Sequence, residues 1–267
     1  MTTVLAVANQ KGGVGKTTTS VNLAACLGAT RRRVLLIDLD PQGNATMGSG
    51  VEKQGLALSS FEVLMGEATV AQARQRPTSV SYELLPANGD LTGAEVALIK
   101  HELGRETRLR LALEQVRADY DFIFIDCPPS LNMLTVNALV AANALLIPTQ
   151  CEYYALEGLS ALIGTVQKIR NLLNPELRIE GLLRTMFDPR NNLSNEVSAQ
   201  LLKHFGDKVY RTVIPRNVRL AEAPSHGLPV LYYDRSSTGA MAYLALAGEM
   251  LRRQDGAAVK EVQGHDQ

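Results

Sequence analysis

The sequence predicts an α/β fold, a mostly parallel twisted sheet flanked by helices on both faces. Three observations carry that expectation. Strand-like and helix-like runs alternate along the whole chain, the order that lays crossover helices over a parallel sheet. The strand-like runs are apolar almost throughout, as strands covered on both faces are. Three of them lead into a glycine-rich loop or end in an aspartate, and in open α/β sheets that carboxyl edge is where ligands bind.

Taken in order, Val4-Leu5-Ala6-Val7-Ala8 reads as a buried strand, and the glycine-rich stretch behind it opens a helix over Lys16–Ala29. A basic cluster, Arg31 to Arg33, precedes a strand over Val34–Asp38. Further strands are expected near Glu83–Pro86, Phe122–Asp126, Ala144–Pro148 and Ile179–Met186, short apolar runs of strand length. Helices are expected near Thr107–Arg117, Leu134–Ala141, Leu156–Leu173, Glu196–Phe205 and Gly239–Arg253. A chain of 267 residues suffices for one large α/β domain, placed over 1–253. No linker or internal repeat divides it. The Gly- and charge-rich stretch 254–267 is expected to be a disordered tail.

The stretch Asn9-Gln10-Lys11-Gly12-Gly13-Val14-Gly15-Lys16-Thr17-Thr18 is the most informative. A phosphate-binding loop has a Gly, four residues, then Gly-Lys-Ser/Thr. Gly15, Lys16 and Thr17 supply the end of that pattern, but Gln10 stands where the first Gly belongs, and a second lysine, Lys11, follows it. The glycines let backbone N–H groups turn inward around phosphate oxygens, and a helix N-terminus behind them favours an anion. Lys16 is placed to reach the β- and γ-phosphates, and the Thr17 hydroxyl to ligate Mg²⁺. Thr18 either caps the loop or touches the α-phosphate. Lys11 is either a solvated loop lysine or a second cation for the triphosphate. If it points away from its own loop, it can serve a nucleotide held by a facing subunit and so couple ATP to dimerisation.

The strands ending at Asp38 and Asp126 bring carboxylates to the same edge. Asp126 suits the Mg²⁺ shell through water. Asp40, just past its strand, is positioned to orient an attacking water. Asp38 either meets metal-bound waters or supports the loop. A lone strand-end aspartate is as readily a cap or turn residue.

Composition limits the reading. Formal net charge is zero, so any nucleic-acid contact has to come from a local patch. Cys26, Cys127 and Cys151 lack metal-ligand spacing and read as reduced thiols of a cytoplasmic protein. No signal peptide and no bilayer-length apolar run is visible. The tail from Gln254 to Gly264 makes a poor amphipathic membrane anchor, so no membrane partner is expected. The Cys127 region lacks the companion cysteine an iron–sulfur relative would need.

The lysine-bearing loop, Asp38-Leu39-Asp40-Pro41-Gln42-Gly43-Asn44, Asp126-Cys127-Pro128-Pro129-Ser130, Gln150 to Gly158 and Ile214 to Leu220 together resemble the ParA/Soj chromosome-partitioning ATPases. The resemblance covers nearly the whole chain, to about Arg252. It implies a P-loop NTPase fold with a deviant Walker A loop, Lys11 its signature lysine, catalytic Asp40, Walker B Asp126, and Mg²⁺ on Thr17. It implies ATP binding by Lys11, Gly12, Gly13, Val14, Gly15, Lys16, Thr17 and Thr18, with Pro215 and Asn217 near the adenine. Asn217 offers a donor and acceptor suited to an adenine edge. It further implies an ATP-bound homodimer that binds DNA without sequence preference on the nucleoid, through Arg190 and Arg219, and a ParB-type partner that stimulates hydrolysis. Lys203, Lys208 and Arg216 are further patch members, or Arg216 supports the nucleotide pocket. With the loop starting so near Met1, no helix-turn-helix domain is expected ahead of it. Relatives that position other cargo, and MinD-like membrane ATPases, are the alternatives within this resemblance.

Overall fold

A computed structural model of the chain describes residues 2–100 and 103–264, with side chains described as far as Gly256. Seven strands form one sheet: β1 Thr3–Val7, β2 Val34–Asp38, β3 Glu83–Leu85, β4 Phe122–Asp126, β5 Ala144–Gln150, β6 Arg178–Phe187 and β7 Val209–Pro215. Their spatial order is β3-β2-β4-β1-β5-β6-β7, and every pairing within the sheet is parallel. All carboxyl ends therefore lie along one edge. The chain builds outward from β1 on one side, returns to it at β4, then crosses to build β5 to β7 on the other. That reversal is where an open α/β sheet leaves a crevice for a ligand.

The apolar character of the strands follows from burial on both faces. Val4 and Ala6 of β1 with Ile123 and Ile125 of β4 feed one core, while Leu5, Val7, Phe122 and Phe124 feed the other. Helix residues close each face: Leu134, Ala138, Leu159 and Leu162 on the first, and Leu23, Leu27, Tyr243 and Leu246 on the second. A fully buried Leu, Ile or Phe side chain contributes about 1.5–3 kcal/mol, so a register slip that exchanged the two faces of a strand is heavily disfavoured. Cys26 belongs to one core, Cys127 and Cys151 to the other, all three free. Burial pushes the Cys26 and Cys151 thiols up, to about 12 and about 11.

The predicted strands are all present. The seventh, β7, was not expected from the sequence, and its construction shows why. It lies at the sheet edge, pairs only with β6, and its register shifts twice along that pairing. Side chains complete what the ladder leaves open. Arg184 donates to the Tyr210 and Arg211 carbonyls at 2.9 and 3.1 Å, and Glu249 accepts the Arg211 and Thr212 N–H groups at 2.8 Å each.

Helix ends moved where caps outweigh periodicity. The helix expected from Glu196 spans Asn192–Phe205, because the Asn191 side chain accepts the N–H groups of Leu193 and Ser194 at 3.0 and 3.4 Å. The stretch expected as one helix over Thr107–Arg117 is a helix over Arg108–Glu114 followed by a 3₁₀ turn, Arg117–Asp119. The last helix runs Thr238–Gly264, past its expected end at Arg253. Of the expected tail 254–267, the side chains beyond Gly256 and the last three residues lie outside the described residues.

Candidate functional site

Parallel register brings the acidic strand ends together. Val7, the last residue of β1, is level with Asp126, and Asp126 is level with Asp38. The loop after β1 therefore emerges beside two carboxylates that are far away in sequence.

The loop is shaped by its glycines and anchored from both sides. Gly13 and Gly15 sit at φ 73° and 87°, left-handed values that a residue with a Cβ rarely adopts. Gly15 is the residue before the helix Lys16–Ala29, and its carbonyl accepts the Thr19 N–H at 2.9 Å. Val14 is buried, and its carbonyl accepts the Thr185 hydroxyl of β6 at 2.8 Å. Asn9 grips the loop entrance, donating to the Pro148 carbonyl at 2.8 Å and accepting the Lys11 N–H at 3.0 Å. Gly12 differs from Gly13 and Gly15 in lacking a left-handed φ, and a Cβ there would meet nothing within 4 Å.

Lys16 is 7% exposed, and its ammonium donates to the Lys11 carbonyl at 3.2 Å. Burial lowers its pKa, opposed by the charge of Asp126 and then Asp40. No carboxylate lies within ion-pair distance of it among the described residues. A buried cation held by one neutral carbonyl is a group prepared for an anion. Thr18 occupies the first turn of the same helix. Lys11 is half-exposed and pairs with Glu152 just beyond β5.

The carboxylates separate by role. Asp38 is fully buried and saturated: one oxygen accepts the Asp40 N–H at 3.1 Å, the other the Thr46 N–H and hydroxyl at 2.8 Å each. That is the geometry of a loop support. Asp126 accepts the Thr17 hydroxyl at 2.7 Å and the Ser20 hydroxyl at 2.8 Å. Asp40 is 8% exposed and accepts only the Gln42 N–H, at 2.9 Å, among the described residues. It is the least committed of the three.

Burial pushes Asp126 up to about 8, with the adjacent Asp38 charge adding to the rise. A divalent cation would relieve that repulsion. Among the described residues no three His, Cys, Asp or Glu side chains converge as an all-protein cage. Mg²⁺ does not need one, since it keeps several waters and binds through one or two protein oxygens plus phosphate. Thr17 and Asp126 fit that donor set.

The raised Asp126 predicts a pH dependence. The folded chain holds a proton that the unfolded chain has already released between pH ~4 and ~8. Without nucleotide or metal, stability is therefore expected to fall as pH rises through that window, by on the order of 1 kcal/mol per pH unit at most for one group. Thermal melts at pH 6 and pH 8 check this, and Asp126→Asn should flatten the difference. Equal slopes in both proteins would remove Asp126 as the cause.

The remaining expected residues lie along the same edge but not in the loop cluster. Pro215 ends β7, paired with Phe187. Asn217 is the N-cap of the helix Val218–Glu222, accepting the Leu220 N–H at 3.2 Å and donating to the Thr238 hydroxyl at 2.8 Å. The donor and acceptor expected for an adenine edge are thus engaged within the chain. Arg190 and Arg219 follow β6 and β7 on exposed segments. Glu152, Thr185, Thr46, Ser20 and Asn9 were not read as site residues from the sequence. Four of these contacts span more than 100 residues, so no local pattern announces them. Thr46 lies eight residues from Asp38 and was the one within reach of a motif.

Comparison with known proteins agrees with this geometry. A family described as an AAA domain matches residues 2–179. The sporulation initiation inhibitor protein Soj of Bacillus subtilis is 53% identical, covering 92% of this chain and 97% of that protein. The chromosome partitioning protein ParA of Caulobacter vibrioides is 52% identical, covering 94% of each chain. Among solved structures, cobyrinic acid a,c-diamide synthase from Mycobacterium smegmatis with bound ADP and magnesium superposes with a TM-score of 0.84 at 39% identity, over 96% of this chain and 97% of that one.

Proposed function

The chain belongs to the ParA/Soj family of chromosome-partitioning ATPases, and from that premise we propose that ATP bound with Mg²⁺ on the loop Lys11 to Thr18 joins two copies face to face. The resulting dimer holds DNA without sequence preference on the nucleoid, and a ParB-type partner stimulates hydrolysis and release. The observation that carries this reading is the buried Lys16 at the head of a helix, with no ion pair among the described residues and beside the carboxylates of Asp126 and Asp40. No described helix is long and apolar enough to cross a membrane.

Each residue has a stated task. Backbone N–H groups of Gly12 to Gly15 cradle the phosphates, and Lys16 neutralises their β and γ oxygens. Thr17 and Asp126 hold Mg²⁺, the latter through water, and the ion when bound supplies charge neutralisation of the phosphates. Asp38 keeps the loop after β2 in place through Thr46, and Asp40 orients the attacking water. Pro215 and Asn217 border the adenine, where Asn217 would have to share the bonds it now makes to Leu220 and Thr238. Arg190 and Arg219 contact DNA phosphates.

Lys11 connects ATP to assembly. Its partner Glu152 is 46% exposed and the lysine itself 40%, and ion pairs so exposed contribute little. The triphosphate of a facing subunit, with its greater charge, is a better partner. Lys11 therefore leaves Glu152 when the two chains meet, and returns after release.

Gly12→Val tests the face-to-face arrangement. The open space around Gly12 means that the substitution leaves the single chain folded and able to bind ATP. In the dimer that space faces the second subunit, so sedimentation with a non-hydrolysable ATP analogue should show a monomer, with DNA retention lost. A normal ATP-dependent dimer in this variant would refute the arrangement.

A further inference from the structure

Both arginines assigned to DNA already hold a carboxylate of their own chain. Arg190 grips Asp188 with a fork, Nε to Oδ1 at 3.0 Å and Nη2 to Oδ2 at 2.9 Å, and the same Oδ1 accepts the Arg190 backbone N–H at 3.0 Å. Arg219 donates from Nη1 to Glu222 at 2.8 Å and brings Nε to 3.3 Å from Asp234. A guanidinium presents the same paired N–H groups to a carboxylate and to a phosphate. Asp188, Glu222 and Asp234 therefore occupy positions that phosphate oxygens would take.

The two clusters are neighbours in the fold. Phe187 of β6 is level with Pro215 of β7, so Asp188 and Arg216 leave the sheet side by side, and the Arg216 charge acts on Asp188. Both ion pairs stand in solvent, the Arg190 side chain 88% exposed and that of Arg219 50%. Such pairs add little to stability and exchange readily. Lys203, Lys208 and Arg216, by contrast, make no ion pair among the described residues. The cations that carry the DNA assignment are the ones kept neutralised.

We propose that Asp188, Glu222 and Asp234 compete internally with DNA phosphate for Arg190 and Arg219, holding a single chain's DNA affinity so low that retention requires two chains acting together. The proposal rests on the assignment of Arg190 and Arg219 to DNA. Its logic is that each phosphate contact must first displace a tethered anion. One chain gains little from the exchange. In a dimer the second set of exchanges is intramolecular and the gains multiply. A chain with no net charge supplies no background attraction to blur that threshold.

Asp188→Asn is the direct test. The asparagine keeps an oxygen for the Arg190 N–H, so the turn survives while the competing charge is lost. Glu222→Gln removes one of the two charges held by Arg219, leaving that of Asp234. Glu114→Gln is the control, since it removes one exposed carboxylate that makes no ion pair among the described residues, with the same change in net charge. Binding of each protein to a random-sequence duplex is followed by fluorescence anisotropy through a salt titration, with a non-hydrolysable ATP analogue and with ADP. Asp188→Asn and Glu222→Gln should each bind roughly 3- to 10-fold more tightly than wild type, with a steeper salt slope as more phosphates are contacted. With ADP they should show binding that wild type lacks. Glu114→Gln should match wild type. Carboxamide variants that behave like Glu114→Gln in both nucleotide states overturn the proposal while leaving the DNA assignment intact. If Arg190→Ala and Arg219→Ala bind DNA as wild type does, the assignment itself fails, and the proposal with it.

Discussion

Replacing Lys16 by alanine is expected to lower ATP affinity by on the order of 10²- to 10³-fold, the equivalent of about 3–4 kcal/mol for removing a buried, charge-assisted partner. The size follows from the setting. Lys16 is 7% exposed, donates to one neutral carbonyl, and lies in the field of Asp126 and Asp40. Without its ammonium the Asp40 charge faces the incoming phosphates uncompensated, so the variant loses an attraction and gains a repulsion. Titration calorimetry with ATP and Mg²⁺ measures the loss. The folded state has to be checked beside it by circular dichroism, because Lys16 also offsets buried negative charge. On the proposed cycle, DNA retention disappears with nucleotide binding. A folded Lys16→Ala protein with ATP affinity within a few-fold of wild type would mean that the loop does not hold phosphate.

Much of this site was legible before any coordinates. The expected spans of β2 and β4 coincide with those observed, because an uninterrupted apolar run closed by an aspartate has one sensible reading in an α/β sheet covered on both faces. The strand–loop–helix around Gly13 and Gly15 was equally plain, since glycine is the residue that readily takes the left-handed angles found there. What could not be read were contacts made across the sheet. Thr185 on Val14, Ser20 on Asp126 and Glu152 on Lys11 join residues more than 100 positions apart. Each is an ordinary hydroxyl or carboxylate whose role depends on which strands end up adjacent. The edge strand β7 escaped for a related reason. Its regularity is supplied by Arg184 and Glu249 from other elements rather than by its own pattern.

Asp40→Ala is expected to separate binding from chemistry. The variant should bind ATP within a few-fold of wild type and still form the ATP-dependent dimer, while hydrolysis with the stimulating partner falls by on the order of 10²-fold or more, the usual contribution of a positioned group that orients or deprotonates the nucleophile. The neighbouring aspartates make the contrast. Both Asp38 oxygens are consumed by Asp40 and Thr46, and Asp126 is held by Thr17 and Ser20. Removing either strands buried donors, and the damage spreads to the fold. Asp40 gives up one bond, to the Gln42 N–H, so its loss costs about 1 kcal/mol of stability and leaves the loop standing. Asp40→Asn sharpens the test by keeping an oxygen for Gln42 while removing the charge. A rate as low as that of the alanine variant would assign the effect to the carboxylate itself. On the proposed cycle hydrolysis ends the DNA-bound state, so both variants should stay on DNA with ATP far longer than wild type. Partner-stimulated turnover at the wild-type rate in Asp40→Ala would strip this residue of its role and shift the search for the water-orienting group elsewhere along the carboxyl edge.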